Sequence, residues 1–213
     1  MRRPQFIAEQ SRHASGLIGR IVAWVMARET FADNQRAINA LAIESTNHVL
    51  DIGTGHGRAL AQIVSLTPQG AVTGVDPSPL MAKIAHARNK TDVRSGRLRI
   101  AVAGVEALPF ANASFDKAMA VHAIYFWPDL TPALREIARV LKPDGRLALV
   151  FHTPENEAAV NAFPDGIYTF RTSMEIHDAL ASAGLIVVTT PDEQGNTPNN
   201  AVGAALLVAR KPA

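Results

Sequence analysis

The sequence predicts an α/β fold: a mostly parallel sheet with one reversed strand near its end and a helical segment in front. Three observations carry this. Between residues 48 and 151 short apolar runs alternate with helix-patterned segments, and buried strands spaced in this way pair in parallel beneath helices on both faces. Near the C-terminus two apolar runs, 185–190 and 204–209, are joined by a polar stretch with no helical signal. Such a link implies an antiparallel pair at a sheet edge. In residues 15–41 the apolar side chains recur at helix spacing.

The elements follow in order. Leu17, Ile18, Ile21, Val22, Val25 and Met26 mark one short helix; Ile38 and Leu41 continue an apolar side, with Asp33 or Asn34 opening a second helix. Residues 49–52 read as a strand ending in a glycine loop, and 58–66 as a helix stopped near Pro68-Gln69-Gly70. A second strand spans 71–75, a helix 79–89, and a third strand 97–102. Residues 116–121 form the fourth strand. The helix over 132–141 puts Leu134, Ile137, Ala138 and Leu141 on one side. Lys142-Pro143-Asp144-Gly145 is a turn before a fifth strand, 146–151. A last helix, 174–183, is closed by Gly184.

Composition narrows the classes. The 213 residues suit one domain with a sizeable core and leave no room for a second of ordinary size. Cysteine is absent, which excludes disulfides and thiolate metal sites, and no metal site is expected. After the basic start Met1-Arg2-Arg3-Pro4 the polar run 9–12 leaves no apolar signal core. The longest early apolar run, 21–27, is too short to span a bilayer, so a soluble, cytoplasmic protein is expected. Arg2, Arg3, Arg12, Arg20, Arg28 and Arg36 outweigh Glu9, Glu29 and Asp33. This bias reads either as a solvated helix face or as attraction to an anionic partner, such as a phospholipid surface or an acidic substrate.

The chemistry starts at Val49-Leu50-Asp51-Ile52-Gly53-Thr54-Gly55-His56-Gly57. Glycines between a strand and a helix let the backbone turn tightly and approach a ligand, and the helix start offers unpaired N–H groups. Asp76, closing the second strand, suits hydrogen bonding to ribose hydroxyls. Dinucleotide-binding loops share this logic but want G-x-G-x-x-G; from Gly53 the sixth position here is Arg58.

The Asp-x-Gly-x-Gly-x-Gly spacing resembles the first motif of the class I S-adenosylmethionine-dependent methyltransferases, closest to the small-molecule and quinone C-methyltransferase branch. Further stretches carry the resemblance: Val75-Asp76-Pro77-Ser78-Pro79-Leu80-Met81, then Glu106-Ala107-Leu108-Pro109-Phe110 with Ser114-Phe115-Asp116, then residues 136–146. It covers the chain from about His48 onward and implies a Rossmann-like, doubly wound, seven-stranded sheet. It implies a single domain, with residues 1–44 a helical lid and 45–213 the S-adenosylmethionine-binding core. Asp51, Gly53, Thr54 and Gly55 would meet the methionine part of the cofactor, Asp76 the ribose, and Pro77 and Met81 the adenine. One departure stands out. In Ala103-Gly104-Val105-Glu106 the family's acid is replaced by Gly104, leaving the Val105 backbone to bind the ring and Glu106 or water to take the amino proton.

In an open parallel sheet ligands bind beyond the carboxyl ends of the strands, where His56, His122 and His152 fall. His122 is the candidate base or acceptor-orienting residue; His152, Tyr125 and Trp127 are candidates for the acceptor pocket, with Phe126 in the same aromatic cluster. The resemblance implies transfer to a small, apolar or aromatic acceptor. A nicotinamide dehydrogenase is disfavoured by the glycine spacing. A nucleic-acid substrate is disfavoured because nothing after the fourth strand resembles Asn-Pro-Pro-Tyr and no basic-aromatic face is concentrated. Two alternatives stay open: a degenerate cofactor-binding protein, suggested by Gly104, and a phospholipid methyltransferase in peripheral contact with a membrane.

Overall fold

A computed structural model describes residues 30–162, 166–188 and 203–213; the expected helix over 17–26, the end of the 185–190 strand and the polar link before β7 lie outside them. The elements are α1 (Phe31–Leu41), β1 (His48–Ile52), α2 (Arg58–Leu66), β2 (Ala71–Asp76), α3 (Pro79–Arg88), α4 (Lys90–Arg94) and β3 (Leu98–Val102). There follow β4 (Phe115–Val121), a 3-10 turn (Ile124–Phe126), α5 (Leu130–Val140), β5 (Leu141–Phe151), α6 (Glu157–Ala162), α7 (Ser173–Ser182), β6 (Ile186–Val188) and β7 (Ala205–Arg210).

The seven strands form one sheet in the order β3-β2-β1-β4-β5-β7-β6. The first five pair in parallel, and β7 runs antiparallel to both β5 and β6. The expected reversed strand is therefore present, inserted between β5 and the edge. Side chains of successive strand residues point to opposite faces, so one strand feeds two cores. Leu50, Ile52 and Val75 pack on one face with Leu134 and Ile137 of α5 and Ile176 and Leu180 of α7. Val49, Val72 and Met119 pack on the other with Ile38 and Leu41 of α1 and Leu60 and Ile63 of α2. The helix from the N-terminal segment is thus part of the core.

Differences from the expected bounds have local causes. The helix expected over 79–89 stops at Arg88 because Asn89 turns inward: its side-chain amide donates to the Gly57 and Ala85 carbonyls, both at 2.9 Å. A short helix, α4, then begins afresh. α5 starts two residues before Pro132, with Asp129 as its cap accepting from the Thr131 N–H at 3.1 Å. The 142–145 turn lies inside β5: Leu141 pairs with Phe115, Arg146 pairs with Lys117, and the four residues between loop out. The 3-10 turn and α6 are too short to show a period in sequence.

Two of the sequence motifs brace the scaffold. Arg139 donates to the Phe110 carbonyl at 2.8 Å and to the Leu108 carbonyl at 3.0 Å, and pairs with Glu136 at 2.7 Å. Glu136 in turn accepts from the Leu108 N–H at 2.8 Å. The Leu-Pro-Phe stretch after β3 is held to α5 in this way. Asp116 accepts from Lys142 Nζ at 2.9 Å and from the His48 N–H at 2.7 Å, joining the starts of β1, β4 and β5. Burial pushes the Asp116 carboxyl upward, but these bonds outweigh it and hold it below the usual range.

Candidate active site

A cavity of about 310 Å³ opens at the carboxyl ends of β1 to β4, a size typical of small-ligand sites. Its floor is the glycine loop. Gly53 and Gly57 have φ of +73° and +71°, a left-handed region that side chains rarely adopt. A Cβ on Gly53 would lie 2.7 Å from the Ala123 Cβ, and one on Gly57 would lie 2.7 Å from the Ala85 Cβ. The loop can therefore pack against β4 and α3 only without side chains there. The Gly53 and Thr54 N–H groups both donate to the Val75 carbonyl at 2.9 Å, tying the loop to the end of β2.

Two carboxylates sit over this floor. Asp51 is buried and accepts from the Thr54 hydroxyl at 2.7 Å. Burial, and less strongly the nearby Asp76 charge, push its carboxyl up to about 6, against the Thr54 hydrogen bond. No described basic side chain pairs with it. Asp76, also buried, accepts from the Gly55 N–H at 2.8 Å and from the Ser78 N–H at 2.9 Å, one on each oxygen. Ser78 then caps α3, its hydroxyl accepting from the Met81 N–H at 3.3 Å.

Beyond Asp76 the cavity wall is Pro77, Met81 and residues 103–106. The Ala103 N–H donates to the Asp76 carbonyl at 3.2 Å, so the end of β3 stands directly beside the end of β2. Val105 is buried and Glu106 exposed.

At the opposite end His122 follows β4 with a φ of +54°, unusual for a residue with a side chain. Both ring nitrogens are engaged: Nδ1 lies 2.9 Å from the Tyr125 hydroxyl and Nε2 lies 2.8 Å from Asp33 of α1. Tyr125 accepts from the His152 N–H at 2.6 Å, and burial pushes its phenol up, so it stays protonated. The phenol and a carboxylate thus flank the imidazole, one at each ring nitrogen. Burial pushes the Asp33 carboxyl upward, but the His122 and Arg36 contacts outweigh it and keep Asp33 ionised. The His152 ring lies against the His122 ring, centroids 5.1 Å apart. Burial and then His122 hold His152 below its ordinary range, so it is neutral at neutral pH.

The structure brings most of the sequence-derived residues to one wall. Asp51, Gly53, Thr54, Gly55, Asp76, Pro77, Met81, Gly104, Val105, Glu106, His122 and Trp127 all line the cavity. Tyr125 and His152 do not: Tyr125 is buried beside His122, and the His152 ring lies against the His122 ring. In this arrangement the two stand behind the His122 ring. Sequence reasoning missed Thr30 and Asn34, which bring the start of α1 to the cavity, and Asp33, which fastens it to His122. Asp33 showed only as a residue that could open a helix and as one of the few acids among the first 36 residues.

The geometry agrees with what the chain is similar to. A family model described as a methyltransferase domain matches residues 50–149. The uncharacterized methyltransferase YdaC of Bacillus subtilis (strain 168) is 30% identical over 139 residues, covering 65% of this chain and 75% of the relative. The ubiquinone/menaquinone biosynthesis C-methyltransferase UbiE of Citrifermentans bemidjiense is 33% identical over 120 residues, covering 55% of this chain. The match spans only 51% of that relative's own length. Among solved structures, a methyltransferase of Haloferax volcanii, in complex with the Trm112 methyltransferase activator, superposes with a TM-score of 0.77 at 24% identity. That match covers 99% of this chain and 100% of the other.

Proposed function

The chain belongs to the class I S-adenosylmethionine-dependent methyltransferases, and we propose that it transfers a methyl group to a small, apolar or aromatic acceptor. The observation that carries this is one cavity with two unlike ends. Buried Asp51 and Asp76 lie at the β1 and β2 end; Phe126 and Trp127 lie at the β4 end. The residues fit the cofactor. A carboxyl forced up to about 6 by burial gains most from a cationic ligand, and an ammonium group provides one. Asp51 would hold the methionine ammonium, the glycine loop would admit its carboxylate, and Asp76, at the end of β2, would accept from the ribose hydroxyls. Pro77 and Met81 would flank the adenine. When bound, the cofactor supplies an electrophilic methyl on a sulfonium.

The protein's share is to align and to exclude water. Trp127, Phe126 and Pro128 supply the apolar wall, and Thr30 and Asn34, at the start of α1, line the cavity beside them. The chain is read as a single domain in which α1 is built into the core and its start reaches the cavity. His122 orients the acceptor. A role as base would require opening its bond to Tyr125 or to Asp33. A UbiE relative named for C-methylation in quinone biosynthesis supports an aromatic acceptor.

Titration calorimetry tests the donor half. S-adenosylhomocysteine is expected to bind and NADH not to, and Asp76→Ala is expected to weaken binding at least tenfold, about 1.4 kcal/mol. NADH binding without S-adenosylhomocysteine binding overturns the reading. A screen of phenols, quinols and apolar amines with methyl-labelled cofactor tests the acceptor half. On the acceptor so found, His122→Asn is expected to raise KM while keeping the shape of the pH profile; an unchanged KM removes it from the site.

A further inference from the structure

We infer that Glu106 supplies the carboxylate that reads the exocyclic amino group of the cofactor's adenine, in place of an acid that Gly104 cannot supply. The inference rests on the proposed cofactor site and concerns how that site tells one base from another.

Strand order fixes which part of the cavity receives the base. The glycine loop follows β1, Asp76 closes β2, and residues 103–106 follow β3, three neighbouring strands in the sheet. A ligand with its amino-acid end at Asp51 and its ribose at Asp76 therefore places its base against Pro77, Met81 and residues 103–106. That corner holds few groups able to recognise a base. Pro77, Met81, Ala103 and Val105 are apolar, and the Ser78 hydroxyl caps α3. Glu106 is the one carboxylate among the described lining residues there.

Its position is informative. A Cβ built on Gly104 would lie 2.5 Å from Glu106 Oε2, so the carboxylate occupies the space in which a side chain at 104 would begin. Nothing in the backbone demands glycine at this point, because Gly104 is not in the left-handed region. Glu106 has folded back over Gly104 and places an acid just past the end of β3. The carboxylates of Asp51 and Asp76 lie at the ends of β1 and β2, where the proposed site gives them to the amino-acid end and the ribose. Among the described residues no hydrogen bond uses that of Glu106. It is an acceptor-only group facing the cavity with its capacity open. An exocyclic amine donates to such a group. A carbonyl oxygen in the same place is repelled by it.

Calorimetry with S-adenosylhomocysteine and S-inosylhomocysteine, which carries an oxygen in place of the amine, tests this on the full chain. The wild type is expected to prefer the adenosyl compound by about tenfold or more, the range of one charge-assisted hydrogen bond. Glu106→Ala is expected to bring that preference close to one. Glu106→Gln adds an amide donor and is expected to shift it toward the inosyl compound. Gly104→Asp in the Glu106→Ala background restores an acid from the other position and is expected to recover the adenosyl preference. Glu106 is exposed, so these changes leave the fold intact, which a thermal melt of each variant checks. A preference unchanged in Glu106→Ala overturns the inference and leaves the cofactor site standing. A wild type that binds neither compound overturns the site itself, and the inference with it.

Discussion

Asp51 carries a tension at the scale of a single residue. Its carboxyl is raised from about 3.8 to about 6, chiefly by burial and secondarily by Asp76. A carboxyl raised on folding favours the folded state while protonated, and that advantage is lost as pH rises through the folded value. Between about pH 4 and pH 6 the ligand-free protein therefore loses on the order of 3 kcal/mol of stability at this residue. A cationic ligand needs the ionised form, so binding below pH 6 must expel a proton. Affinity for S-adenosylhomocysteine is expected to climb up to tenfold per pH unit below 6 and to level off above it. Asp51→Asn is expected to flatten that profile, weaken binding at neutral pH and raise the melting temperature of the ligand-free protein. Calorimetry from pH 5 to pH 8 with parallel melts checks all three, and a pH-independent wild-type affinity removes Asp51 from the cation site. Residues of this kind were legible in sequence because they sit within a few positions of a glycine or a strand end. Asp33 was not, since its contact with His122 crosses 89 positions and only the assembled fold brings them together. Glu106 was visible as a candidate, but its turn back over Gly104 is a side-chain conformation that no linear pattern encodes.

Elements were legible wherever burial imposed a period. β1 and β2 read as near-continuous apolar runs because both of their faces are covered, and α5 shows its buried stripe at Leu130, Ala133, Leu134, Ile137 and Ala138. Where a side chain decides the boundary, the pattern misleads: Asn89 splits one expected helix into two by reaching the Gly57 carbonyl. The join between α5 and the 108–110 stretch is likewise made of side chains. Arg139 reaches the Leu108 and Phe110 carbonyls and Asn112 besides its pair with Glu136. The ion pair is partly exposed and contributes little by itself; the bonds to carbonyls contribute about 1 kcal/mol each. Arg139→Ala is expected to lower stability by about 2 kcal/mol, roughly 4–8 °C in a chain of this size. The loss should persist in high salt, where an ion pair would be screened. A deficit that vanishes in 1 M salt would mean that Glu136, not the carbonyls, is the partner that matters.

At the scale of the whole molecule the two cores share the strands that form the site. Leu50 packs on one face of β1 and Val49 on the other, while the same strand delivers Asp51 to the cavity. Neither core can open without breaking β1, and α1 of the N-terminal segment is packed into the second core through Ala37, Ile38 and Leu41. Unfolding of the ligand-free chain is therefore expected as one transition rather than as a lid followed by a core. A ligand that touches the ends of β1, β2 and β3 together should raise that transition without splitting it. At a concentration one hundred times its dissociation constant, S-adenosylhomocysteine stabilises the folded state by about 2.7 kcal/mol. For a chain of this length that is roughly 5–11 °C. Differential scanning calorimetry with and without the ligand measures both quantities. Two separate peaks, of which S-adenosylhomocysteine moves only one, would show that the segment carrying α1 folds apart from the sheet. In that case the Asp33 contact to His122 is a docking contact between separable parts, and the cavity's acceptor end forms only when they meet.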